Sequence, residues 1–180
     1  MQLSNLLSRS SLAIFGTISG VIFSSQSAIA ASKVVIDITG PIQASVKVKD
    51  LRRFAETGET TKTIRQALAA SKDINPKTIR GIMSLEIGAD IAKLAKVLYS
   101  ERGQNITKAI SEVVQTRYDK ESDKALRSAI ILAAIDDNRI SILEIMEKYP
   151  TTDMYINLAK INEIVGKVQE AIGNLEELLQ

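Results

Sequence analysis

The sequence predicts an α+β fold: a mostly helical single domain with a small N-terminal β-hairpin, a candidate third strand and a long C-terminal amphipathic helix. Three observations predict it. β-branched residues crowd positions 33–49, apolar residues recur at helical spacing from Ile64 onward, and a strict three-four apolar repeat runs from Leu158 to Leu179. An apolar fraction of 45% with only 3 Pro in 180 residues argues for a packed core rather than disorder. Aromatics make up just 4%, so that core must be aliphatic.

Residues 1–30 stand apart from this fold. Met1 to Arg9 carries a weak positive charge and no acid, Leu12–Phe23 is apolar, and Ser24–Ser27 leads to Ala28-Ile29-Ala30. That is the n-region, h-region and small-x-small order of a secretory signal peptide, with cleavage expected after Ala30. The apolar run has twelve residues, whereas a spanning helix needs about twenty. No twin Arg precedes it, and a chain without Cys cannot carry a lipoprotein anchor. The expected location is outside the cytoplasm: periplasm, thylakoid lumen or extracellular space. Stability there must come from burial, since no disulfide can form.

Val34-Val35-Ile36-Asp37-Ile38 reads as a strand, and Gly40-Pro41 punctuates it. Ala44 to Lys49 alternates small or apolar with polar residues, the period of a half-buried strand, which completes a hairpin. Asp50 is placed to cap a short helix, Leu51 to Thr57, with Gly58 as its stop. Thr60 or Thr61 opens a helix carrying Ile64, Ala67 and Leu68. Asn75-Pro76 is an N-cap with proline at the first helical position. Ile87, Ile91, Leu94, Ala95 and Leu98 form one apolar stripe, which predicts a helix ended by Gly103. Ile106, Ala109, Ile110, Val113 and Val114 repeat the pattern. Asp119 to Asp123 is a charged loop. Ala125 to Ile135 is apolar except at Arg127 and Ser128, so it is expected to be the most buried helix, centred on Leu126, Ala129, Ile130, Ala133 and Ala134. Ser141 and Glu144 spell a capping box, Tyr149-Pro150 closes that helix, and Met154-Tyr155-Ile156 is the candidate third strand.

The final segment, 158–180, carries Leu158, Ile161, Val165, Val168, Ile172, Leu175 and Leu179 at a/d spacing over three heptads. Ile164, Ala171 and Leu178 widen this stripe, which favours a helix docked on its own domain over a bare dimer seam. The helix from Leu158 to Leu179 is nevertheless expected to be the principal contact element, an interaction stripe for a homodimer or a protein partner, unless its own domain covers it. The expected organisation is therefore a signal peptide over 1–30, a helical domain with a β-hairpin over 31–157 and the amphipathic helix over 158–180.

Composition narrows the chemistry. With no His and no Cys there is no Ser-His-Asp triad, no Cys-His dyad and no His- or thiolate-bound zinc. No nucleophile elbow, phosphate-binding Gly loop or dinucleotide fingerprint occurs. No catalytic residue, cofactor site or metal site is assigned, and no cofactor is expected. Carboxylates remain as acid–base groups: Asp136-Asp137, and Asp119, Glu121 and Asp123 in one loop. Their positions are those of helix caps and solvated loops. Nucleic-acid binding does not suit an exported chain near neutrality with few aromatics. Residues 31–80 hold 10 Lys+Arg against 5 Asp+Glu, and residues 81–180 hold 12 against 16. No run reaches five like charges, so Arg52, Arg53, Lys62 and Arg65 read as solvated helix faces.

Asp50 to Glu59, with the preceding Gly40-Pro41-Ile42 and Val46-Lys47-Val48, resembles the start of a small helical domain of unknown function found ahead of cyanobacterial α/β-hydrolase domains. Ile87-Gly88, Gly103-Gln104-Asn105, Ala125 to Ala134, Ser141-Ile142-Leu143 and Tyr149-Pro150-Thr151 follow in that family's order. The resemblance spans about residues 33–157, although 103–125 is longer than the family's usual link. It implies that a hydrolase label belongs to a catalytic domain absent from this sequence. Three function classes follow: a non-catalytic interaction or accessory module, a membrane-surface protein using the terminal helix, and an enzyme of unrecognised carboxylate chemistry. Glu163, Glu170, Glu176 and Glu177 against Lys160 and Lys167 make that helix acidic, which favours a protein partner over an anionic membrane.

Overall fold

A computed structural model describes residues 30–39, 42–70 and 75–160. The signal-peptide stretch and the apolar stripe from Ile161 to Leu179 lie outside the described residues.

Strands β1 (Lys33–Thr39) and β2 (Ile42–Lys47) form the expected antiparallel hairpin, with a register shift between Asp37 and Thr39. The second strand ends two residues earlier than its alternation suggests. Val48 is instead the first residue of α1 (Val48–Thr57), and Asp50 sits inside the first turn rather than capping it. Lys47 holds the cap position without a side-chain hydrogen bond. Val48 turns inward with Leu51, Phe54 and Ala55, so burial of an apolar first residue outweighs the cap. Gly58 ends α1 at φ 82°, as a left-handed stop requires.

α2 (Lys62–Ala70) opens with Thr61 Oγ1 accepting from the Ile64 amide at 3.3 Å. α3 (Pro76–Met83) has Asn75 as its cap, the side chain accepting from the Lys77 amide. The predicted single helix from Ile87 to Gly103 is two helices with a strand before them. β3 (Glu86–Gly88) takes Ile87, and Asp90 caps α4 (Ile91–Tyr99). Ser100 then caps α5 (Glu101–Ser111), accepting from the Gly103 amide at 3.2 Å. Gly103 is thus inside a first turn, not a stop. A Cβ there would come within 2.8 Å of Leu98 Cα, so glycine serves the close approach of α4 and α5.

Val113 and Val114 leave the helical pattern, and Val114–Gln115 is a short strand, β4. α6 (Ser122–Ala134) is the central helix, with Leu126, Ala129, Ala133 and Ala134 buried and Ile130 packed against both core clusters. β5 (Arg139–Ser141) precedes α7 (Ile142–Lys148), whose Ser141–Glu144 capping box is complete in both directions. The third strand exists: β6 (Asp153–Asn157) lies parallel to β1, with Val35 opposite Tyr155. Leu158–Lys160 forms a 3-10 turn against β1, where the apolar spacing predicts α-helix.

The main sheet runs β2-β1-β6-β4, and β3 and β5 make a separate antiparallel pair. One face of the main sheet, bearing Val34, Val46, Met154 and Ile156, packs on α1, α6 and α7 in the larger core cluster. A second cluster, around Leu94, Leu98, Ala133 and Ile140, joins α4 to α6. Arg52 ties α1 to α7 by a two-pronged bond to Glu147, at 2.8 and 2.7 Å. The fold is α+β and mostly helical, as the periodicity predicts.

Candidate functional site

The carboxylates singled out by sequence are brought to two places, and each is already engaged. Asp136 and Asp137 follow α6. Asp136 Oδ2 pairs with Lys148 Nζ at 3.1 Å, and Asp137 Oδ1 accepts from the Arg139 amide at 2.9 Å, shaping the turn into β5. Asn138 completes that turn at φ 58°, a left-handed position that asparagine tolerates.

The acidic loop before α6 is built more tightly. Asp119 and Glu121 both adopt left-handed backbone, at φ 52° and 58°. Ser122 is buried at the start of α6. Its Oγ accepts from the Thr116 amide at 3.0 Å and donates to Asp119 Oδ1 at 3.1 Å, while Thr116 Oγ1 donates to the Lys120 carbonyl at 2.9 Å. Glu121 pairs with Lys124. These bonds brace the loop, which leaves β4 at the end of the sheet where β6 begins.

Tyr149, close enough to feel the Asp119 carboxylate, is fully buried, its hydroxyl without a hydrogen-bond partner among the described residues. Burial, and then the nearby Asp119 carboxylate, push its ionisation upward. At the same end of the sheet Lys33 Nζ meets Asp153 Oδ1 at 3.3 Å.

A second buried polar group sits between α5 and α6. Arg127 donates to Asp123 Oδ2 at 2.9 Å and to Thr107 Oγ1 at 3.0 Å, with its guanidinium carbon 5.9 Å from the Tyr99 ring centre. Thr107 Oγ1 in turn donates a hydrogen bond to the Gly103 carbonyl at 3.1 Å. Sequence reasoning leaves this cluster unassigned. Its signal is nevertheless present: Asp123 and Arg127 stand four apart on one helix face, and Arg127 interrupts an otherwise apolar run.

Chemically these groups neutralise and cap one another. Among the described residues no three carboxylates converge in a way that holds a metal ion, and no described helix is long and apolar enough to cross a membrane. Of the sequence-predicted stripe, Leu158 begins the 3-10 turn, and Ile161, Val165, Val168, Ile172, Leu175 and Leu179 lie outside the described residues.

No curated protein and no solved structure matches this chain. A family profile matches residues 30–157, the stretch that carries every described element up to β6. On that match the chain belongs to the family described as alpha/beta hydrolase of unknown function (DUF1400).

Proposed function

We propose that residues 31–157 form a non-catalytic accessory module, carried on an exported chain and acting by contact with protein rather than by turnover. One observation carries this reading. All five carboxylates in the two acidic clusters are committed to structure: Asp119 to Ser122, Glu121 to Lys124, Asp123 to Arg127, Asp136 to Lys148 and Asp137 to the Arg139 amide. Carboxylates that cap a turn or neutralise a neighbouring cation have a structural role that accounts for their presence without any substrate. With no His and no Cys in all 180 residues, neither an imidazole base nor a thiolate nucleophile can take their place. In this reading the hydrolase in the family's description is the work of a separate catalytic domain.

Export rests on the order of residues 1–30 and on the edge of the fold. Ala30 is exposed, whereas Ala31 is buried in the main core cluster. A peptidase can therefore reach the bond after Ala30 at the margin of the folded unit. N-terminal sequencing of the natural protein should begin at Ala31, and a mature chain beginning at Met1 would overturn cleavage.

The test of the non-catalytic reading is an ester-hydrolysis assay on the purified chain lacking residues 1–30. No turnover above the uncatalysed rate is expected. Turnover that disappears on replacing one of Asp119, Asp123, Asp136 or Asp137 by Asn would overturn it.

A further inference from the structure

We propose that the loop between β4 and α6 is the surface by which this domain holds a protein partner, with the Tyr118 ring as its anchor and Arg117 and Lys120 meeting an acidic segment of that partner. The assignment rests on the domain acting by contact with protein.

The chain is poor in aromatics and keeps most of the described ones inside: Phe54 and Tyr149 are buried, and Tyr155 is half-buried. Two stand outside. Tyr118 is 76% exposed and Tyr99 is 61% exposed. Each has an arginine beside it. The Arg117 guanidinium carbon lies 5.8 Å from the Tyr118 ring centre, and that of Arg127 lies 5.9 Å from the Tyr99 ring centre. Arg127 also binds Asp123, in the first turn of α6 and five residues beyond Tyr118. Both rings are thus tied to the same end of that helix. Tyrosine and arginine, with tryptophan, are the residue types that carry most of the binding energy at protein interfaces.

The loop holds Tyr118 ready for contact. The Asp119 amide donates to the Thr116 carbonyl at 3.0 Å, which closes a turn with Arg117 and Tyr118 at its two central positions. Thr116 Oγ1 and Ser122 Oγ brace the remainder, through the Lys120 carbonyl, the Thr116 amide and Asp119 Oδ1. Asp119 and Glu121 keep left-handed backbone without being glycine, which persists only where the surroundings over-determine it. An aromatic ring on a fixed loop loses little freedom on binding, so more of its burial is left to hold the complex.

Charge selects the partner. Glu121 is paired with Lys124, Asp123 with Arg127, and Asp119 accepts from Ser122 Oγ. Arg117 and Lys120 are exposed, and neither has an ion pair among the described residues. Two uncommitted cations around an apolar ring fit a carboxylate-bearing surface with a pocket beside it. A membrane fits less well. One ring is too little apolar area for insertion, and two acids, Asp119 and Glu121, sit beside it in the chain.

Photo-crosslinking in the natural host tests this. Benzoylphenylalanine replaces Tyr118 in the full chain or, as a control, Thr78, which is exposed on α3. Irradiation should join the position-118 protein to one partner, and mass spectrometry of the joined peptides should place the bond beside Asp or Glu residues of that partner. The partner, once identified, is purified and titrated with this protein. Tyr118→Ala should weaken binding roughly thirtyfold with an unchanged thermal midpoint. Arg117→Glu should weaken it about tenfold, by a factor that shrinks as salt is raised. Thr116→Val removes the bond to the Lys120 carbonyl but keeps the ring, and should weaken binding about threefold. Adducts with lipid, no adduct from position 118, or full affinity in Tyr118→Ala would each overturn the proposal. A protein adduct from position 78 with none from 118 would overturn this surface and leave contact with protein in place, while the ester assay tests the non-catalytic reading on its own.

Discussion

Tyr149 is fully buried, with a hydroxyl that has no partner among the described residues. A buried hydroxyl without a hydrogen bond costs about 1–3 kcal/mol. Tyr149→Phe keeps the ring and removes that cost, so it should stabilise the protein by about 1 kcal/mol in urea unfolding near pH 7. The same residue sets a pH dependence. Its ionisation is raised above the ordinary 10.0, first by burial and then by Asp119. The folded state therefore holds the phenol proton more tightly than the unfolded chain. Stability from this group is complete below pH 10.0 and falls as pH rises above it, by about 1.4 kcal/mol per pH unit. The Tyr149→Phe variant should lack that component between pH 10 and 11, and parallel alkaline losses in the two proteins would refute it. Asp123 offers the opposite case. Asp123→Asn leaves the nearly buried Arg127 without its counter-charge. A loss of about 2–3 kcal/mol is expected, less than for a fully buried pair because Asp123 keeps some contact with water. A denaturation midpoint within error of the parent would show that Thr107 and Tyr99 suffice.

Elements are legible where local chemistry and burial agree. Ser141 with Glu144, Asn75 with Pro76, and Gly58 at φ 82° each act where their residue types indicate. The stripe from Ile87 to Leu98 misleads because periodicity alone cannot see a strand three residues long. Ile87 is in phase with the α4 stripe, but Asp90 caps the helix between them. Gly103 looks like a stop and is a spacer, a role that depends on where Val97 and Leu98 lie in space. Gly103→Ala should clash with the Val97 carbonyl and the Leu98 backbone. A cost of about 1–3 kcal/mol is expected, read as a lower thermal midpoint. Ile130 on α6 touches both core clusters. Ile130→Asp places an unpaired carboxylate at their apolar junction, so the circular-dichroism signal of the native state should be lost at 25 °C. A folded variant would show that the two clusters are held together elsewhere.

At the scale of the molecule, the feature least visible in the sequence is the centre of the sheet. Met154-Tyr155-Ile156 reads as a strand, but nothing local pairs it with β1 or makes the pairing parallel. Ser32 donates to the Thr152 carbonyl across 120 residues. Hydrogen-bond partners that distant are chosen by the packed helices between them, not by either strand. The acidic clusters read as caps and loops, and their partners Lys148 and Lys124 fit that reading. The polar cluster of Arg127, Thr107 and Tyr99 needs the α4–α5–α6 packing to be seen. Closing the sheet late in the sequence should also make folding slow for a chain so helical. Stopped-flow refolding is expected on the millisecond-to-second scale, and a microsecond phase accounting for all native signal would contradict the sheet's role.

The neighbouring β1 and β6 also settle how the protein would carry a load. They run side by side in the same direction, with the incoming chain at the start of β1 and the outgoing chain at the end of β6. Tension applied between those two points slides one strand along the other. Every backbone bond of the pair then resists at once, instead of opening one after another as in a zipper. A chain held at its front and pulled at its rear would thus meet its strongest seam first.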